Sequence, residues 1–420
     1  MILLMSGGLS ILTAAVVFLL ITLMLVGVLL FAKAKLIPSG NVKMVVNGEK
    51  EYDVALGGTV LNTLQGQGIF LSSACGGSGS CGQCRCQIAE GGGNILPTEV
   101  GFFSRRQIKD HWRLGCQTKI KEDIRIQVPE EVFGVKEWEC TVVSNHNVAS
   151  FIKEFTVRLP EGEQMNFKPG SYSQIKIPAY DLKFTGFDVD ERFKAEWDKF
   201  KLWDLACRNG EPTIRAYSMA NYPAEGNIIT LNVRIATPPF DRAAGTWKAG
   251  VKPGIGSSFI FNLKPGDKVL MSGPYGDFHI LDTKREMLYI GGGAGMAPLR
   301  AHLLHLFKTL KTTDRQVSYW YGARSKAEIF YEEDFRAIER DFPNFKFHIA
   351  LSEPRPEDRW TGCTGFIHQV IHDCYLKDHE APEDIEYYMC GPGPMAKAVE
   401  GMLENLGVPR EMLHFDDFGA

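Results

Sequence analysis

Ten cysteines stand in this chain, and three of them, Cys75, Cys81 and Cys84, fall within the ten residues CGGSGSCGQC. Glycine and serine cannot pack a core, so these thiols either grip a metal, pair with one another or do nothing. Their spacing is C-x5-C-x2-C, and Cys116 follows in WRLGCQ after 31 intervening residues. Four thiolates suit zinc or a [2Fe–2S] cluster. Structural zinc commonly draws on two short cysteine pairs on separate knuckles. Here three candidates share one loop and the fourth is remote, which favours iron and sulfur. Gly76, Gly77, Gly79 and Gly82 let the backbone wrap closely, so that N–H groups can point at cluster sulfurs. Cys86 reads as a spare thiol on the outgoing strand.

A second set of chemistry-bearing residues lies downstream. RAYSMANYP (215–223) holds Arg-x-Tyr-Ser at the end of a strand-like run. GIGSSFIFNL (254–263) is a Gly/Ser turn entering an apolar stretch of helical spacing, whose free N–H groups could hold a pyrophosphate. GGGAGMAPLR (291–300) departs from the G-x-G-x-x-G fingerprint. Even so, Gly291, Gly292, Gly293 and Gly295 allow a dinucleotide close to the backbone, and Pro298 suits a first helical turn. Arg324 and Lys326 could meet a 2′-phosphate, while Glu328 and Glu332 could hold a 2′-hydroxyl, so residue chemistry leaves NADH and NADPH both open. No paired carboxylates, Ser/His/Asp set or zinc motif competes for the chemistry, and the histidines are assigned no role.

These groups need scaffolds, and 420 residues provide for two to four domains. Hydrophobic content of 45% is ordinary for folded domains, and a net charge of −4 gives no reason to expect nucleic acid. Leu9–Phe31 is a run of 23 residues without charge. As a helix it would span about 34 Å, against a hydrocarbon core of about 30 Å. Lys33 and Lys35 follow it, which predicts one inner-membrane anchor, with everything after about residue 32 in the cytoplasm. A cleaved signal peptide is disfavoured by the length of the run and the lack of a basic leader. Residues 36–133 then read as a small α+β domain. Residues 134–283 are β-rich with Pro/Gly punctuation, suiting an antiparallel β-barrel, and contain a charged, aromatic insertion at 179–212. From 284 to 420, strand runs such as MLYIGG alternate with helical ones, which predicts an α/β domain on a parallel sheet.

The cysteine segment resembles [2Fe–2S] ferredoxins of the β-grasp fold, with one more residue between the first two cysteines than the plant-type spacing. The order of motifs over 135–420 resembles the ferredoxin–NADP reductase superfamily. That resemblance implies a flavin, with Arg215 on its diphosphate, Tyr217 beside the ring and Ser218 at flavin N5; Arg234, Ser257 and Ser258 match further phosphate positions. It also implies Cys390 beside the nicotinamide C4, with Gly391 in the same CGPGPM loop, and Phe418 of HFDDFGA stacked over the flavin. The whole order of anchor, ferredoxin, flavin barrel and nicotinamide domain resembles the F subunits of bacterial sodium-translocating NADH:quinone reductases. This implies NADH as donor, FAD as the flavin, partner subunits in the membrane that pump sodium, and a quinone as final acceptor. A ferredoxin-fused reductase feeding an oxygenase would share every cofactor motif. A non-catalytic electron carrier would not need Arg-x-Tyr-Ser.

Overall fold

The computed structural model describes residues 14–28, 40–241 and 243–416. The chain divides into two compact units, one holding residues up to Leu71 with Cys84–Glu130, the other holding Ser72–Gln83 and everything from Glu131 onward. Residues 14–28 are helical with exposed apolar side chains such as Phe18 and Met24. The rest of the expected membrane run, with Lys33 and Lys35, lies outside the described residues. Among the described residues no helix is long and apolar enough to cross a membrane.

In the smaller unit, β1 (Asn41–Val46) and β2 (Lys50–Ala55) form a hairpin. Asn47 and Gly48 between them both take positive φ, the pattern that matches the twist of a tight hairpin. β3 (Arg85–Glu90), β4 (Trp112–Leu114) and β5 (Ile124–Gln127) complete a sheet of order β2-β1-β5-β3-β4. β1 and β5 are parallel and the other pairs antiparallel. Helix α1 (Val60–Gly66) starts where the Thr59 side chain accepts the Asn62 N–H, and buries Val60, Leu61 and Leu64. Glu99 is fully buried; it takes Arg113 in a charge-assisted contact of 2.8 Å and also accepts the Leu114 N–H at 2.8 Å. This pair fixes the strand that delivers Cys116. Removing one partner would strand a buried charge at a cost of about 3–5 kcal/mol.

The larger unit begins with an antiparallel sheet. β6 (Lys136–Ala149), β7 (Ile152–Arg158), β8 (Tyr172–Ile177), β9 (Thr213–Ser218), β10 (Ile228–Arg234) and β11 (Lys268–Tyr275) lie in the order β9-β8-β11-β6-β7-β10. Met219, just beyond β9, makes an antiparallel bridge with Leu231 of β10, joining the two outer strands. The 179–212 insertion is a two-stranded ribbon, Tyr180–Lys183 with Ala206–Asn209, around helix α2 (Glu191–Lys199), which Asp190 caps. Its Phe193 and Trp197 are buried in the same core as Phe261 of α3 (Ile255–Asn262).

Beyond this sheet, β12 (Met287–Gly292), β13 (Val317–Ala323), β14 (Phe345–Leu351), β15 (Cys363–Thr364), β16 (Glu386–Cys390) and β17 (Leu413–Asp416) are all parallel. The order is β15-β14-β13-β12-β16-β17. Every residue of β12 and β16 is buried, Glu386 at the start of β16 included, as strands covered on both faces require. Helices α4 (Met296–Leu304), α5 (Ile367–Cys374) and α6 (Gly393–Asn405) belong to this half. The chain leaves β12 in one direction through β13 to β15 and returns on its other side through β16. Such a reversal opens a crevice at the carboxyl ends of β12 and β16.

Candidate active site

The crevice is where the glycine-rich and cysteine-containing loops meet. A side chain at Gly295 would put its Cβ 2.1 Å from the Cys390 carbonyl, and one at Gly291 would meet the Tyr319 hydroxyl at 2.5 Å. At Gly391 a Cβ would lie 2.3 Å from Met395. Pro298 is buried in the first turn of α4. A cavity of about 460 Å³ opens beside these loops, lined by Gly292, Gly293, Arg234, Arg324, Glu328 and Ser352 among others. Burial and the nearby Arg324 charge pull Arg234 below the usual guanidinium range, and Glu328 opposes them. Arg234 therefore lines this cavity as a partly desolvated guanidinium.

Alternation along β9 places Arg215 and Tyr217 on one face of the strand. Both pack against the start of α3, where a Cβ on Gly256 would meet the Tyr217 hydroxyl at 2.5 Å and Arg215 Cγ at 3.0 Å. No side chain caps α3, so its first N–H groups face the site beside an arginine, a fit for a diphosphate. At the other end of α3, buried Lys153 donates to the Phe261 carbonyl (3.4 Å) and lies over the Phe261 ring. Burial lowers its pKa to about 8, with Asp188 opposing. The two serines of this turn lie at the start of α3. Ser257 Oγ accepts the Ala236 N–H (3.0 Å) and donates to the Gly254 carbonyl (3.2 Å), and Ser258 is fully buried.

Ser218 and Cys390 come from different halves of the unit and meet at one residue that the sequence motifs do not single out. The Ser218 hydroxyl donates to the Asp416 carboxylate, and Cys390 Sγ donates to the Asp416 carbonyl at 3.5 Å. Asp416 lies within the HFDDFGA stretch, but only the register of β17 beside β16 brings it to Cys390. Phe418 lies outside the described residues.

The four cluster candidates divide two and two. Cys75 and Cys81 belong to the larger unit, with their sulfurs 3.3 Å apart. That is longer than the disulfide bond of about 2.05 Å and near the roughly 3.7 Å that two thiolates take on one tetrahedral ion at metal–sulfur distances of about 2.3 Å. Donation from Cys81 draws the Cys75 pKa down to about 2 and pushes that of Cys81 up. The loop that carries them is anchored by Gln174 Nε2 donating to the Ser73 carbonyl (3.1 Å) and by the Tyr172 hydroxyl donating to Gln83 (2.8 Å). Cys84 and Cys116 belong to the smaller unit, where the Cys116 N–H donates to Cys84 Sγ at 3.4 Å. Among the described residues no three or more His, Cys, Asp or Glu side chains gather as a single metal-ligand group.

Three family models match the chain in the order of these segments. They are a 2Fe-2S iron-sulfur cluster binding domain (44–121), an oxidoreductase FAD-binding domain (200–280) and an oxidoreductase NAD-binding domain (289–401). Fold and site thus define an iron–sulfur flavoprotein oxidoreductase that carries a [2Fe–2S] cluster and FAD and takes NADH. The F subunit of the Na(+)-translocating NADH-quinone reductase of Pseudomonas aeruginosa is 52% identical over 413 residues, 98% of this chain and 100% of that protein. That of Neisseria meningitidis is 51% identical over 411 residues, again covering 98% and 100%. The chain belongs to this family of F subunits. Among solved structures, the Amycolatopsis cytochrome P450 reductase GcoB shares the fold at a TM-score of 0.61 and 21% identity, covering 90% of this chain and 98% of that one. The ferredoxin reductase of carbazole 1,9a-dioxygenase is similar at 0.56 and 25%, covering 91% and 99%.

Proposed function

We propose that this chain is the NADH-oxidising subunit of a membrane-bound, sodium-translocating NADH:quinone reductase. The observation that carries this is the convergence of Ser218 and Cys390 on Asp416, in a chain with near-full-length identity to the F subunits. FAD accepts two electrons as a hydride and can release them singly, and a [2Fe–2S] centre takes one at a time. Arg215 and the start of α3 hold the flavin diphosphate, and Tyr217 packs beside the ring. Ser218, its hydroxyl aimed by Asp416, sits where the hydride arrives. Cys390, Gly391 and the glycines at 291–295 hold the nicotinamide. Cys75, Cys81, Cys84 and Cys116 are the cluster ligands, and Phe418 covers the flavin until the nicotinamide enters.

The same reading closes the antiparallel sheet into a barrel, which the Met219–Leu231 bridge supports. It also makes the uncharged run at 9–31 a single inner-membrane anchor, with the later residues in the cytoplasm. Electrons then leave through partner subunits and finally reach a quinone. The test is anaerobic addition of NADH to the purified full chain. Bleaching of the flavin absorbance followed by the paramagnetic signal of a reduced [2Fe–2S] centre is expected. A colourless, zinc-loaded protein would overturn the reading.

A further inference from the structure

Helix α2 belongs to the insertion, yet two consecutive residues on it reach the rim of the nucleotide cavity. Trp197 is fully buried and its Nε1 donates to the Ser150 carbonyl at 2.7 Å. Ser150 in turn donates to Glu328 through both its N–H (3.2 Å) and its hydroxyl (2.5 Å). Beside it, Glu196 is only 9% exposed. Its Oε1 accepts from Arg355 Nη2 at 2.6 Å, and its Oε2 lies 4.0 Å from Arg324 Nη2. Arg324 also donates to Glu328 at 3.0 Å. The remaining charges nearby are Lys199 at 3.8 Å from Glu196, Arg234 in the cavity, and Asp358, which accepts backbone N–H groups from Arg355 and Lys326.

Arg324 follows the carboxyl end of β13, the strand next to the glycine strand β12. This is where a fold of this kind reads the adenosine ribose, with a carboxylate suiting a 2′-hydroxyl and an uncommitted guanidinium suiting a 2′-phosphate. Here both guanidiniums are already committed to carboxylates. A 2′-phosphate could recruit Arg355 only by displacing Glu196, and Arg324 only by displacing Glu328, leaving a buried carboxylate beside the phosphate's own charge. We propose that α2 is a specificity element of the dinucleotide site, in which Glu196 occupies Arg355, beside an Arg324 already held by Glu328, and so excludes nucleotides phosphorylated at the 2′ position.

This proposal rests on NADH being the donor. Its test compares NADH and NADPH oxidation by the full chain, with ferricyanide as acceptor and bound flavin measured alongside. Glu196→Gln should raise kcat/KM for NADPH relative to NADH about ten-fold, the scale of one contact to a charged group, chiefly through KM. Adding Arg355→Leu to Glu196→Gln should abolish most of that gain, which separates a freed guanidinium from a general loosening of the rim. Calorimetric binding of adenosine 2′,5′-bisphosphate against 5′-AMP reads the same discrimination without needing flavin or turnover. An unchanged ratio in Glu196→Gln, or a gain that survives loss of Arg355 and Arg324 alike, overturns the proposal. A wild-type chain that oxidises neither nucleotide would instead sink the donor assignment.

Discussion

The two glycine-rich segments of this chain use glycine with different emphasis. In the cysteine loop, Gly76, Gly77, Gly79 and Gly82 all take positive φ, so the glycines are there first for backbone conformation, and Gly76 also for room, since its Cβ would lie 2.5 Å from the Ile214 carbonyl. In the nicotinamide turn only Gly293 does so, and Gly291 and Gly295 are there for room, because neighbours occupy the place of a Cβ. A loop that must turn repeatedly around sulfur needs left-handed residues. A strand end against which a dinucleotide lies needs a bare backbone.

Substitutions in the two segments should therefore fail differently. Cys81→Ala should have the largest effect, removing nearly all bound iron while NADH still bleaches the flavin. Loss of flavin reduction together with the iron would break the separation between the two regions. Gly295→Ala must push against the Cys390 carbonyl, an overpacking cost of about 1–3 kcal/mol. It should lower kcat/KM for NADH roughly ten- to hundred-fold and leave iron content intact.

Acid should separate the regions as well. His302, on the helix that follows the nicotinamide turn, is fully buried and donates from Nε2 to the Phe278 carbonyl at 3.0 Å. Burial drives its pKa down to about 3. It stays neutral in the fold but takes a proton near pH 6.5 when unfolded, so stability is lost as pH falls below about 6.5. The larger unit should lose about 2 kcal/mol by pH 5, read by denaturant melts across pH, and His302→Gln should flatten that dependence.

Asp416→Asn comes next, lowering kcat for NADH about ten-fold by weakening a charge-assisted contact to Ser218, with flavin and iron retained. Gly77→Ala is the mildest. A φ of 91° is strained for alanine, costing about 1–2 kcal/mol, and it should show as faster cluster loss on warming with no change in NADH kinetics.

What could be read from the sequence follows from how local each feature is. The cluster motif is written within ten consecutive residues and one distant cysteine. The parallel sheet is foreshadowed by fully apolar runs such as MLYIGG, which only strands covered on both faces tolerate. Arg215 and Tyr217 share a face because strands alternate. Asp416 was beyond reach because its contact with Ser218 joins positions 198 residues apart. Arg355 and Glu196 are likewise 159 apart, on segments with no common motif. The serines at 257 and 258 match phosphate positions by resemblance, and the bonding of Ser257 within its turn and the burial of Ser258 are tertiary facts that no local pattern displays.

The contact from Ser150 to Glu328 ties the turn between β6 and β7 to the rim of the cavity beside the glycine turn of β12. Thermodynamic reciprocity then applies: if flavin occupancy stiffens that turn and tightens NADH binding, a bound dinucleotide must strengthen the grip on flavin by the same factor. In that case prosthetic-group retention during purification would gauge how well the neighbouring pocket is filled.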